Sequence, residues 1–163
     1  MTSISLRPLT KDDVVAIKTW PPYPPEFAGL DYSLRDGGWL DEYWGRPGAE
    51  ILAAVDGTEI VGFSILVPEG NGIFEFRIAL HPHRIGSGLG KKITSLTLNR
   101  GFSRHGAERI RLIVRKNNLR AQSLYSSLHF RQTGESIEMI QGVPVDFFKM
   151  EISREEFSKE SEQ

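Results

Sequence analysis

The period of the sequence changes at the centre of the chain, and this constrains the fold more than any other feature. From Ile73 to Leu80, Phe74, Phe76, Ile78 and Leu80 alternate with Glu75, Arg77 and Ala79. That is the period of two expected of a strand whose faces differ. A glycine-rich turn follows, Gly86-Ser87-Gly88-Leu89-Gly90, and then Leu89, Ile93 and Leu96 recur at helical spacing in a segment reaching about Ser103. Strand, glycine turn and helix in succession suit the binding of phosphate. Glycine admits left-handed dihedrals and lets a ligand approach the backbone closely. Unpaired amides at a helix start point at an anion, and the helix dipole adds about 0.3–1 kcal/mol per charge at exposed sites. The amides of Ile85 to Gly90 are the candidate cradle. A tight strand-to-helix turn without a ligand has the same local sequence, so the glycines alone leave both readings open.

Three strands in succession are expected around and ahead of this turn. Ile51 to Val55 and Glu59 to Val67 flank a hairpin turn at Asp56-Gly57, and Pro68 to Gly72 leads into the strand at 73–80. Further upstream, Ile4 to Arg7 reads as a short strand, and Thr10 with Asp13 forms a capping-box pattern. The helix it starts runs to Trp20 and stops at Pro21-Pro22-Tyr23-Pro24-Pro25, because proline removes donors and disfavours helix at the preceding residue. Leu34 to Trp44 is expected as a second helix, weakened by Gly37 and Gly38. After the central helix, Glu108 to Arg115 is a strand with the apolar centre Leu112-Ile113-Val114. Asn117 or Asn118 caps a helix carrying Ala121, Leu124, Tyr125 and Leu128 on one face. Phe130 to Ile140 and Val143 to Ile152 close the chain as a hairpin around Gln141-Gly142, and the charged tail from Arg154 to Gln163 is expected to fray. Hairpins combined with a crossover helix, which makes its flanking strands parallel, predict an α/β (α+β) fold. Its sheet is mixed, mostly antiparallel and of seven strands, with flanking helices, in a single domain over residues 1–163.

Composition mainly excludes. Twenty basic residues stand against 21 acidic ones, a formal charge of −1, without the basic excess typical of nucleic-acid binding, so no nucleic-acid partner is expected. The absence of cysteine rules out disulfides, thiolate metal sites and a cysteine nucleophile. No apolar run approaches the about 18 residues of a membrane span, and the N-terminal Met-Thr-Ser-Ile-Ser-Leu-Arg lacks the apolar core of a signal peptide. A cytoplasmic protein with no membrane partner is expected. His81, His83, His105 and His129 form no metal motif, so no metal is expected either.

Two nucleotide-binding patterns do not fit the glycine turn. A P-loop needs Gly-Lys-Ser/Thr, whereas Gly90 is followed by Lys91-Lys92. A dinucleotide site needs an opening βαβ unit and an acidic residue about 20 residues on, whereas here hairpin strands precede the turn. The stretch from Ile78 to Lys92 resembles instead the acetyl-coenzyme A motif of the GNAT N-acetyltransferase superfamily: strand, His/Asp-Pro, Arg/Gln-x-x-Gly-x-Gly/Ala, helix. His81-Pro82, Gly88 and Gly90 match it. Ile85 stands where that family usually has Arg or Gln, and Arg84 comes one place early. A second stretch, with Asn118, Ala121, Leu124, Tyr125 and Phe130, is similar to the family's Asn-x-x-Ala-x-x-Leu-Tyr-x-x-x-Gly-Phe. His129 replaces the glycine that ends the helix in a left-handed conformation, where histidine is a poorer substitute. The hairpin from Glu138 to Met150 is similar to the family's closing strands, so that the resemblance covers about residues 50–152.

This resemblance implies a strand at 73–80 splayed from the one at 109–115, with the pantetheine arm of the cosubstrate acetyl-coenzyme A (acetyl-CoA) in the gap. Backbone groups of Ile78, Ala79 and Leu80 would pair with the arm, and Arg84, Ile85, Gly86, Ser87, Gly88, Leu89, Gly90 and Lys91 would hold the pyrophosphate. Asn118 and Tyr125 would contact the arm, its thiol or ordered solvent. The reaction implied is direct transfer of the acetyl group to an amine, of a small molecule or a protein, in a ternary complex. Tyr125, with an ordinary pKa of about 10, is the expected proton donor to the leaving thiolate, although a core tyrosine on that helix face would look the same. Deprotonating a lysine-like amine at pH 7 costs about 4.6 kcal/mol, so a base is useful. Many family members place a glutamate on the strand before the glycine turn. The matching position here is Phe74, and Glu75, its neighbour on the opposite face, is the candidate. Water alone, or a Glu75 that merely pairs with Arg77, are the alternatives.

The acceptor pocket is expected from residues 20–48 and the closing hairpin. The first of these holds Trp20, Tyr23, Phe27, Tyr32, Trp39, Tyr43 and Trp44, most of them expected to pack. It also holds Asp31, Asp36, Asp41 and Glu42, which could attract an ammonium group or simply be solvated. A regulatory module that binds acyl-CoA without turnover, and an acyltransferase with another donor or a hydroxyl acceptor, are the rival functions. Edge strands in the closing hairpin offer a contact for a homodimer.

Overall fold

The computed structural model of the chain describes residues 3–161. Among them are seven strands: β1 (Ile4–Pro8), β2 (Glu50–Asp56), β3 (Glu59–Gly70), β4 (Ile73–Leu80), β5 (Arg109–Arg115), β6 (Arg131–Ile140) and β7 (Val143–Ser153). They form one sheet in the order β1-β2-β3-β4-β5-β7-β6. The α-helices are α1 (Lys11–Lys18), α2 (Trp39–Tyr43), α3 (Leu89–Ser103), α4 (Leu119–Ser127) and α5 (Arg154–Ser161). The pairs β1-β2, β2-β3, β5-β7 and β6-β7 are antiparallel. β4 and β5, joined through α3, are parallel, as a crossover helix requires. Their ladder is short. Ile73, Phe74 and Glu75 face Arg109, Ile110 and Arg111, and the pairing ends there although β4 continues to Leu80 and β5 to Arg115.

The chain divides into two compact units. One comprises the residues up to Val67 with Arg77–Thr97, and the other Pro68–Phe76 with the residues from Leu98 onward. In the first unit the strands are covered on both faces. Ile17 of α1, Leu34 and Leu40 join Ala53, Phe63, Ile65 and Ala79 in one core cluster. Leu89 and Ile93 of α3 join Ala54 and Val61 in another, with Ile78 and Leu80 packed against it. Side chains of a strand alternate between faces, so Arg77 and Ala79 share one face of β4, and Ile78 and Leu80 the other. A bulge shifts the β2-β3 register between Ala54, opposite Gly62, and Val55, opposite Ile60. It puts Ile60 and Phe63 on one cluster while Val61 joins the other. The hydroxyls of Ser64 and Thr97, both buried, meet at 2.7 Å and tie β3 to α3. In the second unit Ile110, Leu112 and Val114 of β5 and Phe147, Met150 and Ile152 of β7 are buried.

Three local expectations change. The segment 34–44 is not one helix: a 3-10 run over Pro25–Leu34 precedes the short α2. Gly38 explains the break, because a Cβ there would meet the carbonyl oxygens of Tyr32, Ser33 and Arg35. The strand β3 runs through Pro68 to Gly70, so the turn into β4 shrinks to Asn71-Gly72, both at positive φ. The tail is not frayed at its start, because Arg154–Ser161 is helix. Ser153 and Glu156 cap it reciprocally, amide to side chain at 3.0 and 3.1 Å. Phe157 packs on Phe102 with ring centroids 5.1 Å apart, and Arg154 donates to the Phe102 carbonyl at 2.6 Å. The end of that tail, 162–163, lies outside the described residues.

Candidate active site

The glycine turn is held from several sides. The His81 amide donates to the Val61 carbonyl at 2.9 Å, and the Arg84 amide to the His81 carbonyl at 2.8 Å. The His81 ring lies against Trp20, centroids 4.9 Å apart, and its Nδ1 accepts from the His83 amide at 3.1 Å. Arg84 turns its guanidinium to the β2-β3 hairpin, 3.1 Å from Asp56 and 3.3 Å from Glu59. It therefore braces the turn through its side chain. Ile85, in the place of the family's Arg or Gln, packs against the core cluster of the first unit. The Ser87 hydroxyl donates to the Arg84 carbonyl at 2.8 Å, and Thr94 donates to the Gly90 carbonyl at 2.6 Å.

What this bracing presents is a row of donors. Gly86 and Gly88 take φ of 89° and 80°, and a Cβ built at Gly88 would meet nothing within 4 Å. Among the described residues, the amides from Ile85 to Lys91 donate to no protein acceptor; the first engaged amide is that of Lys92, to the Gly88 carbonyl at 3.4 Å. A helix start leaves four amides unpaired by itself. Here the preceding turn adds more, with left-handed residues that curve a backbone into an anion-binding concavity. The residues present fit a pyrophosphate, and Lys91 is exposed beside them.

At the end of β4, Tyr23 donates to the Leu80 carbonyl at 2.7 Å, and burial holds its phenol above its ordinary range. Nearby in the same unit, Arg77 donates from Nε to the Tyr43 hydroxyl at 2.8 Å. Its guanidinium carbon lies 5.2 Å from the Trp39 ring centre and 5.5 Å from that of Tyr43, and Arg46 lies 4.6 Å over the same Tyr43 ring. Trp39 packs edge-on against Tyr32 and Phe63. Trp20, Tyr23 and Tyr43 are buried, whereas Trp44 is exposed. The acids of this stretch are mostly neutralised. Asp31 takes a two-pronged bond from Arg35, at 3.1 and 2.8 Å, and Lys18 bridges Asp36 and Asp41 at 3.0 and 2.6 Å. Glu42 is exposed.

In the second unit, Asn118 caps α4, its Oδ1 accepting from the Ala121 amide at 3.1 Å. One turn further on, Tyr125 is buried against Phe76 and Phe130, ring centroids 6.4 and 5.5 Å away. Its hydroxyl makes no hydrogen bond among the described residues, and burial pushes its pKa up, so the phenol keeps its proton. His129 takes φ of 73°, the left-handed conformation required of it, and the Phe130 amide donates to the Tyr125 carbonyl at 3.1 Å. Glu75 stands in register with Arg111, whose guanidinium donates to Glu69 at 2.8 and 2.6 Å.

The structure therefore brings Arg84 to Gly90 together in one braced turn and Asn118 and Tyr125 onto one helix. It also shows what sequence reasoning did not assemble, the cluster of Arg77, Trp39, Tyr43 and Arg46. The i, i+4 spacing of Trp39 and Tyr43 was a signal for two of them, but nothing local links either to Arg77. No group of three His, Asp or Glu side chains that could hold a metal forms among the described residues.

Solved structures of similar fold include the spermidine N-acetyltransferase SpeG of Vibrio cholerae in complex with CoA and spermine. It is 19% identical, with 95% of this chain and 98% of that one covered and a TM-score of 0.79. A chimera of that enzyme and hSSAT is 18% identical over 96% of this chain and 98% of its own, also with a TM-score of 0.79. No curated protein sequence gives a significant match. The model of the acetyltransferase (GNAT) family matches residues 14–130, well over half of the chain, from α1 through the glycine turn to the end of α4. The chain belongs to the GNAT family and is an acetyl-CoA-dependent N-acetyltransferase.

Proposed function

We propose that this enzyme moves the acetyl group directly to an acceptor amine within a ternary complex, with both units acting as one acetyltransferase domain. The observation that carries this is the run of unengaged amides from Ile85 to Lys91, curved by Gly86 and Gly88 at the start of α3. Those amides, with Lys91, hold the pyrophosphate of acetyl-CoA, whose thioester supplies the activated acetyl group. Arg84 acts at one remove, by fixing the turn to Asp56 and Glu59. Backbone groups of Ile78, Ala79 and Leu80 pair with the pantetheine arm, and an amide there polarises the thioester oxygen. The Leu80 carbonyl is oriented for this by Tyr23. Asn118, besides capping α4, contacts the arm or the water ordered along it.

Tyr125 is the proton donor to the departing thiolate in this scheme. It is protonated, buried and without a hydrogen-bond partner for its hydroxyl among the described residues. Glu75, directly or through water, takes a proton from the acceptor ammonium and so frees the amine that attacks, which removes part of the about 4.6 kcal/mol that deprotonation costs at pH 7. The acceptor is a small molecule or a protein amine. A polyamine such as the spermine held by the Vibrio cholerae enzyme is one candidate. A cytoplasmic setting, where acetyl-CoA is available, and a homodimer formed through β6 complete the proposal.

Coenzyme A release from acetyl-CoA, measured against a panel of amines, tests it. Tyr125→Phe is expected to lower kcat about 10²-fold while the KM for acetyl-CoA changes little. An unaffected kcat in that variant would remove Tyr125 from the mechanism and leave the transfer reaction standing.

A further inference from the structure

We infer that the Arg35–Asp31 ion pair is a positioning device for the acetyl donor, holding Trp20 and Tyr23 as a clamp on the end of β4. This inference rests on the acetyl-transfer proposal above and adds to its donor site residues remote from it in the chain.

Arg35 commits its guanidinium to four bonds. Two go to the Asp31 carboxylate, at 3.1 and 2.8 Å, and two to backbone carbonyls, that of Lys18 at 3.1 Å and that of Trp20 at 2.7 Å. Arg35, aided by the Tyr23 amide, holds the Asp31 carboxyl below its ordinary range against the opposing effect of burial. The pair thus holds Trp20-Pro21-Pro22-Tyr23 at both ends, by the carbonyl of the first residue and the amide of the last. The two prolines between them have no amide with which to anchor themselves.

The clamp closes on Leu80, the last residue of β4, and on His81, the first of the turn. The Tyr23 hydroxyl donates to the Leu80 carbonyl at 2.7 Å, and the Trp20 and His81 rings lie 4.9 Å apart. Both aromatic residues are buried, and burial keeps the Tyr23 phenol protonated and therefore a donor. The backbone groups of successive strand residues point to alternate edges. The His81 amide donates to Val61 of β3, so the Leu80 carbonyl is turned to the other edge of β4. On that edge the ladder ends at Glu75. The direction of the Leu80 carbonyl is set there by Tyr23 instead of by a paired strand. The same edge is the one assigned above to the pantetheine arm. A carbonyl oxygen has two lone pairs, so the bond from Tyr23 leaves one for the arm.

The test is calorimetric and uses two probes. One is coenzyme A. The other is 3′-phosphoadenosine 5′-diphosphate, which carries the pyrophosphate but lacks the arm, and its affinity is read by competition with coenzyme A. Tyr23→Phe keeps the ring and loses one hydrogen bond, so it is expected to weaken coenzyme A about 3–10-fold and to leave the nucleotide unchanged. Arg35→Gln releases both ends of the clamp and should weaken both probes, because the His81 end braces the turn. In that background Tyr23→Phe should cost coenzyme A less than it does alone, because residues that act through one device are not additive. Thermal melting confirms that each variant is folded at the assay temperature. No loss of coenzyme A affinity in Tyr23→Phe, an equal loss of both probes, or full additivity of the two substitutions overturns the inference while leaving acetyl transfer intact. Failure of the wild type to bind coenzyme A overturns the acetyl-transfer proposal, and this inference with it.

Discussion

Asp13 accepts two bonds from Arg7, at 2.5 and 3.0 Å, and a third from the Thr10 amide at 2.8 Å, while Thr10 Oγ1 accepts from the Asp13 amide. The capping box that starts α1 thereby also ties that helix to β1. The Arg7 guanidinium hydrogen-bonded to Asp13 is the main reason its carboxyl is held down, from 3.8 to about 2. A depressed carboxylate contributes stability above its unfolded pKa and loses it as pH falls through the folded one. At neutral pH wild type should therefore exceed Asp13→Asn by about 1–2 kcal/mol, a figure discounted because Arg7 is partly exposed to solvent. The difference should shrink between pH 4 and pH 2, which denaturant unfolding of both proteins across that range would show. A gap independent of pH would assign the stability to the shape of the side chain rather than to its charge. Tyr125 is the other extreme at this scale: a buried phenol with rings on two sides and an uncommitted hydroxyl.

The element proposed to hold the pyrophosphate is the turn between β4 and α3. Its order comes from groups outside the glycines: His81 on Trp20, Arg84 on Asp56 and Glu59, Ile85 in the core, Ser87 on the Arg84 carbonyl. The glycines supply conformation. Gly88→Ala has room for its methyl group but must hold φ near 80°, at a cost of about 1–2 kcal/mol. The expected result is a melting temperature lower by a few degrees and a coenzyme A affinity at least about tenfold weaker, measured by calorimetry, because the turn relaxes toward negative φ and its amides diverge. Unchanged affinity would show that the amide row does not bind the pyrophosphate. The α5 cap gives a further lesson at this scale. Ser153-Arg154-Glu155-Glu156 has the residue spacing of a capping box, a purely local signal, and the charged composition around it masked that signal.

At the scale of the molecule, β6 ends the sheet, and the hairpin it forms with β7 leaves Ile137, Met139 and Val143 66%, 65% and 58% exposed. An edge strand with apolar side chains is an adhesive surface unless something covers it. In the homodimer proposed above a second copy does so. Light scattering should then give twice the chain mass of 18.4 kDa, and Ile137→Lys with Met139→Lys should return the protein to a monomer with its melting curve little changed. A monomeric wild type at micromolar concentration would leave that edge to solvent.

Periodicity and turn chemistry were enough for most of the elements. Alternation in β4, helical spacing in α3 and α4, and Gly57, Asn118 and Gln141-Gly142 as punctuation all act over a few residues, and such local signals survive in a bare sequence. The parallel β4-β5 pair followed from the crossover helix, and the candidate cradle from the glycines beside it. Contacts made across long stretches of chain were not legible. The pairing of Arg84 with Asp56 and Glu59 spans more than 20 residues, and that of Arg77 with Tyr43 more than 30. The sequence by itself determined most of the elements and their order, and pointed to a candidate cradle for an anion, because backbone dihedrals and side-chain period are local properties. Only the tertiary structure decided which charges pair and which cations lie against which rings, because ion pairs and ring contacts depend on distances that the fold alone sets.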